Sequence, residues 1–204
     1  KVDTRKDLAR TCGDNGRQRC DETTHYVSFP PFPAVVMLPF AAVFGYHTHD
    51  VVLTILAAGL NAVLLFWFLQ LLVARGHSTR TARENAWLVI AFAFGSVAFF
   101  SSVRGEVWFT ALVFGVTVNL LYMTAALDTK HPLVAGLLLG LATATRVPVA
   151  FCFVFFAWQL FFPGGRWQAG RWGEIIKKGA LFAAPILAIA ALLMAYNQAR
   201  FGSA

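Results

Sequence analysis

Long apolar runs broken by short charged or Gly/Pro-containing segments make up most of the chain. Six runs hold no Asp, Glu, Lys or Arg: 51–74, 85–103, 107–127, 131–145, 147–165 and 179–199. A helix rises about 1.5 Å per residue and the hydrocarbon core of a bilayer is about 30 Å thick, so about 20 apolar residues suffice to cross. The run 131–145 reaches that length only by borrowing Asp128 to Lys130. The pattern predicts an all-α polytopic membrane protein with about six transmembrane helices.

The run 29–46 differs, because it carries Pro30, Pro31, Pro33 and Pro39. Pro39 removes a helical donor from its middle, and the stretch left between Pro33 and Gly45 is short for a span. It reads as a juxtamembrane helix at the interface. Three regions follow: 1–28 as an outer, non-cytoplasmic loop segment, 29–46 as the juxtamembrane helix, and 47–204 as a transmembrane helical domain. The first residue is Lys, and no apolar leader precedes the polar start. The chain therefore reads as a fragment of a longer protein.

Composition agrees with the pattern. Hydrophobic residues are 58% and charged residues 13% of the sequence, and mean hydropathy is +0.62. A soluble domain carries about 25% charged residues, so a soluble enzyme is excluded as the main reading. The net charge of +7 has an orientational explanation. With residue 51 starting outside, the inner loops hold Arg75, Arg80, Arg83, Lys130, Arg166, Arg171, Lys177 and Lys178, whereas the outer turns hold Arg104, Arg146 and Arg200. Basic residues concentrate in cytoplasmic loops, where they meet anionic membrane lipid. No nucleic-acid partner is expected, since no basic patch outside the membrane is interleaved with aromatics. Cys12 and Cys20 lie close together in the outer segment, where a disulfide is expected. Cys152 lies in a span and reads as a small buried apolar residue.

Ionisable residues near the bilayer are the informative ones. No Asp, Glu, Lys or Arg falls in the middle of a run, which argues against a proton or ion transporter. Arg104-Gly105-Glu106 forms a tight outer turn, and Glu106 opens the next helix. It either answers that helix's dipole or serves as a site carboxylate. Arg146 ends a short helix at headgroup level, where its planar fork suits phosphate or where it simply snorkels. His47, His49 and Asp50 leave room for a divalent metal, although no cofactor is required. Gly136 and Gly140 read as a close helix contact, and Asn61 and Asn119 as interhelical amides.

The order of these features resembles the GT-C glycosyltransferases, in particular bacterial members similar to protein O-mannosyltransferases and lipid A aminoarabinose transferases. HYVSFPPFPAVVMLPFAAVFG at 25–45 resembles their juxtamembrane segment, and SVRGEVWFTA at 102–111 an Arg-x-acidic segment at the outer start of a helix. GLLLGLATATRVP at 136–148 and YNQARFGS at 196–203 resemble two further family segments. Position 106 is Glu where the family often has Asp, and position 146 is Arg where it often has Lys. The resemblance implies a partial GT-C fold and a multi-pass protein of the bacterial inner membrane. It also implies transfer of a sugar from a polyprenyl-phosphate carrier to an acceptor on the non-cytoplasmic face. Glu106 then belongs to the acidic site, with Arg104, Arg146, Tyr26 and Arg200 binding substrate. The family's principal catalytic acid would lie upstream of Lys1. The alternative is a membrane transporter or a noncatalytic scaffold.

The charge distribution makes a prediction about topology. A cysteine placed at Arg80 should resist an impermeant thiol reagent applied from outside, while one placed at Arg104 should react. Outside labelling at position 80 contradicts the orientation.

Overall fold

The structure, a computed structural model, describes residues 31–165 and 170–201. Among them every regular element is helical: α1 (Pro31–Phe44), α2 (Asp50–Ala74), α3 (Ala82–Gly95), α4 (Val97–Arg104), α5 (Val107–Ala126), α6 (Pro132–Thr145), α7 (Phe153–Phe161) and α8 (Trp172–Phe201). The segment bearing Cys12 and Cys20 lies outside the described residues.

Among the described residues three helical stretches, Asp50–Ala74, Trp108–Thr129 and Trp172–Ala199, are long and apolar enough to cross a membrane. The pair α3 and α4 makes a fourth if its two halves, bent by 54°, count as one span. In α8 only 6% of the most apolar window is buried. So much exposed hydrocarbon is unstable in water and suits a lipid environment. The chain is an integral membrane protein.

The described residues hold three or four such spans, not the expected six transmembrane helices. The run 131–145 yields the 14-residue α6, about 21 Å long and short of the ~30 Å core. The run 147–165 is divided between a 3-10 segment, Val147–Cys152, and the nine-residue α7. Two causes act there. Pro148 starts the 3-10 segment and cannot donate. Downstream, the Tyr122 hydroxyl donates to the Cys152 carbonyl at 2.7 Å and accepts from the Phe156 N–H at 3.2 Å. Those two backbone groups are i and i+4 partners, and a side-chain oxygen set between them loosens the helical ladder. The run 85–103 also breaks, at Gly95-Ser96. Ser96 closes α3 by donating to Phe92 O at 2.6 Å and caps α4 by accepting from Ala98 N at 3.1 Å. A Gly/Ser pair is a recognised kink point. Pro39, by contrast, lies inside α1 without ending it.

Packing centres on α6, which touches α5 on one side and α8 on the other. Tyr122, Ala126, Leu139, Phe156, Leu160 and Phe182 form the buried core, with the Phe156 and Phe182 rings stacked at 4.0 Å. The predicted small-residue contact is present. A Cβ on Gly136 would strike the Phe182 carbonyl and the Pro185 ring, and one on Gly140 would strike Ile189. Asn61 ties α2 to α5, donating to Val113 O at 3.0 Å and accepting from Thr117 Oγ1 at 2.6 Å. Asn119 differs from Asn61 in that its buried Oδ1 has no hydrogen-bond partner among the described residues.

Gly136→Ala should therefore cost about 1–3 kcal/mol by overpacking, read as a drop of several degrees in the melting temperature of the detergent-solubilised protein. Gly59, whose Cβ would meet open space, is the control. Equal melting temperatures for Gly136→Ala and Gly59→Ala contradict the close contact.

Candidate functional site

Charged and polar side chains collect at two opposite ends of the helix layer. At one end Arg75 donates to Asp128 at 3.0 Å and to the Leu127 carbonyl at 3.1 Å, and His77 meets Asp128 at 2.7 Å. Lys178 reaches Thr129 Oγ1 at 2.9 Å. The loop after α2, the turn after α5 and the start of α8 are thus tied together. Asp128 and Thr129 both have positive φ, 57° and 52°, which is unfavourable for residues with a Cβ. These cross-links hold that turn in place.

The other end carries the residues singled out in the sequence. Gly105 caps α4 in the left-handed conformation, φ 57°, and its α-carbon faces Val51 so closely that a Cβ would collide with the Val51 backbone. Only glycine meets both demands. One turn deeper, the buried hydroxyls of Thr54 on α2 and Thr110 on α5 lie 2.7 Å apart, and Thr54 also donates to Asp50 O at 2.7 Å. The turn 104–106 is therefore seated on the start of α2.

Glu106 occupies the cap position of α5, and its carbonyl accepts from Phe109 N at 2.8 Å and Thr110 N at 2.9 Å. Its side chain makes no capping hydrogen bond. The carboxylate turns instead to Arg104, with Oε1 3.2 Å from Nε. Both side chains are more than half exposed, so this pair contributes at most about 1 kcal/mol. Glu106 is open to an incoming group.

Arg146 comes to the same end from α6. It terminates that helix, its N–H donating to Ala142 O at 3.0 Å. Its guanidinium lies 5.8 Å from the centre of the Trp108 ring, within cation–π range. Trp108 lies in the first turn of α5, so Arg146 comes to the same end of the helix layer as the Arg104–Glu106 turn. Arg146 is half-buried and has no carboxylate partner among the described residues. A half-buried cation without a counterion favours an anion.

Arg104 and Glu106 pair with each other, while Arg146 rests on Trp108 at the same end of the helix layer. Tyr26 lies outside the described residues, as does the side chain of Arg200. No three His, Cys, Asp or Glu side chains converge among the described residues, so His47, His49 and Asp50 form no such cluster there. Trp108 reads in the sequence as an interfacial aromatic, and its seat under Arg146 has no local signal. Thr54 and Thr110 are likewise silent, because nothing in a helical run says which hydroxyl finds a partner on another helix.

Residues 26–201 match glycosyltransferase family 87, a GT-C-type membrane glycosyltransferase family, and the chain belongs to that family. Comparison with curated proteins and with solved structures gives no significant match.

The Thr54–Thr110 contact predicts a non-additive pair. Thr54→Val and Thr110→Val should each cost about 1 kcal/mol, because each leaves a buried hydroxyl short of a partner. The double variant should cost clearly less than the two losses together in a thermal double-mutant cycle. Strictly additive losses contradict the contact.

Proposed function

We propose that this family 87 glycosyltransferase moves a sugar from a polyprenyl-phosphate carrier to an acceptor hydroxyl at the Gly105 end of the helix layer. That end faces the non-cytoplasmic side of a bacterial inner membrane. The observation that carries this reading is the presence at one end of the helix layer of Arg146, a guanidinium held on Trp108 without a carboxylate partner among the described residues, and of the exposed carboxylate of Glu106. Sugar transfer from a phosphate calls on both functions, a cation for the phosphate and a carboxylate for the acceptor.

The acceptor oxygen forms a bond to the anomeric carbon while the bond from that carbon to the carrier phosphate oxygen breaks. The acceptor proton passes to a carboxylate, and the released phosphate gains negative charge. Glu106 is placed to take or orient that proton. Arg146 is placed to stabilise the departing phosphate, bidentately where geometry allows. Arg104 orients the Glu106 carboxylate through their ion pair. Tyr26 and Arg200 join the substrate-binding set by resemblance to the wider GT-C pattern. The likeness to bacterial enzymes akin to protein O-mannosyltransferases and lipid A aminoarabinose transferases favours an envelope acceptor. The concentration of basic residues at the Asp128 end supports the orientation.

Charge-neutral substitution tests the assignment through sugar transfer from a polyprenyl-phosphate donor in liposomes. Glu106→Gln should reduce turnover about 100-fold or more with folding preserved. A carboxylate serving only the helix dipole would cost about 1 kcal/mol or less of stability and leave turnover nearly intact. Arg146→Gln should chiefly weaken donor binding, and Arg146→Lys should retain part of it because the charge persists. Full activity with unchanged donor affinity in both Gln variants contradicts the site.

A further inference from the structure

An exposed tryptophan near a membrane surface ordinarily serves as an interfacial anchor. Trp108 has a more particular setting. It lies in the first turn of α5, two residues beyond Glu106, and the Arg146 guanidinium stands 5.8 Å from its ring centre. Even so, Trp108 is 55% exposed. One indole thus supports the cation assigned to the donor phosphate and still offers apolar surface at the same end of the helix layer.

The chemistry of the proposed donor says what meets that surface. A sugar is joined to its carrier phosphate through a single oxygen at the anomeric carbon. A phosphate hydrogen-bonded to Arg146 at about 2.8 Å therefore sets the sugar next to the guanidinium and close to the indole beneath it. A pyranose carries its hydroxyls around the rim and presents C–H bonds on its faces. The face of an indole is electron-rich, and it attracts those weakly polarised C–H bonds as it attracts the guanidinium.

Charge gives a second reason for such a contact. Once the sugar has left, the spent carrier is a phosphate monoester, which carries more negative charge than the sugar-bearing diester. A site built on Arg146 alone would therefore hold its product at least as well as its substrate. A contact made only to the sugar reverses that preference and is lost when the sugar departs.

We infer that Trp108 is the platform on which the donor's sugar ring stacks, and so the residue that separates loaded from spent carrier. The inference rests on the proposed donor class, with its phosphate at Arg146, and adds the side chain that receives the sugar.

Competition binding to the intact protein in phosphatidylethanolamine nanodiscs tests it. The ligands are 55-carbon polyprenyl phosphate and its glucosyl and mannosyl derivatives, each displacing radiolabelled polyprenyl phosphate. Trp108→Leu takes the support from Arg146 whichever lipid is used, so the ratio of affinities isolates the sugar. Trp108→Leu should weaken at least one sugar-bearing lipid about tenfold more than the bare phosphate. Trp108→Phe, which keeps a smaller ring, should show an intermediate change in that ratio and serves if the leucine variant fails to fold, as judged by melting temperature. Equal losses for bare and sugar-bearing lipids overturn the inference, because Trp108 then acts only through Arg146. Unchanged binding of all the lipids in folded variants also overturns it, leaving an interfacial anchor. Arg146→Gln should weaken every lipid. If it weakens none while Trp108→Leu still removes the sugar's contribution, this inference stands and the phosphate assignment falls. Weakening of every lipid by Arg146→Gln, with the ratio indifferent to Trp108, does the reverse.

Discussion

Two hydroxyls 2.7 Å apart, on Thr54 and Thr110, join α2 to α5 directly beneath the Arg104–Glu106 turn. Inside a bilayer a hydroxyl has little water to turn to, so each depends on a protein partner. Their meeting pins the first turns of α2 and α5 to each other and leaves the 104–106 turn little freedom. Gly105 then presses on Val51 in a conformation closed to other residues. Glu106 projects from that seat, and Trp108 follows within the same helical turn to form the support for Arg146. Asn61 and Arg75 continue the same α2–α5 seam toward the far end, so the hydroxyl pair sets the register at the Gly105 end.

The short helices serve the same arrangement. Because α6 is only 14 residues long, its last residue, and Arg146 after it, can come to rest on the side of α5 instead of projecting beyond it. Close contact of Gly136 and Gly140 with α8 sets the depth at which α6 lies. Tyr122 does the corresponding work for α7, holding the junction of a 3-10 and an α segment through one hydroxyl. At the far end Asp128 joins Arg75 and His77, so the basic residues there act partly as cross-links between loops.

Much of this was legible in the sequence where the signal is local. Uninterrupted apolar runs gave the helices, the pairing of Gly136 with Gly140 gave the close contact, and Arg104-Gly105-Glu106 gave the turn with its carboxylate. The count of six spans failed because it measured runs free of charge, and such a run need not be one helix. Gly95-Ser96 and Pro148 were visible as breakers, but the Tyr122 hydroxyl that loosens the start of α7 comes from another helix. Asn119 shares its residue type with Asn61, yet its buried Oδ1 has no hydrogen-bond partner among the described residues.

On the proposed reading, the negatively charged head of the donor binds at the end bearing Glu106 and Arg146 and not at the end bearing Arg75, Asp128 and Lys178. Both ends carry cations, so charge alone would permit either. At the Asp128 end, however, Arg75 already has a carboxylate partner, whereas Arg146 has none among the described residues. The most direct measurement is an experimental structure of the intact protein in lipid nanodiscs with polyprenyl phosphate bound. The phosphate should lie within about 3 Å of the Arg146 guanidinium nitrogens, at charge-assisted hydrogen-bond distance. Phosphate density among Arg75, His77 and Lys178, with the Arg146 side chain still resting on Trp108 and no anion beside it, would contradict the account.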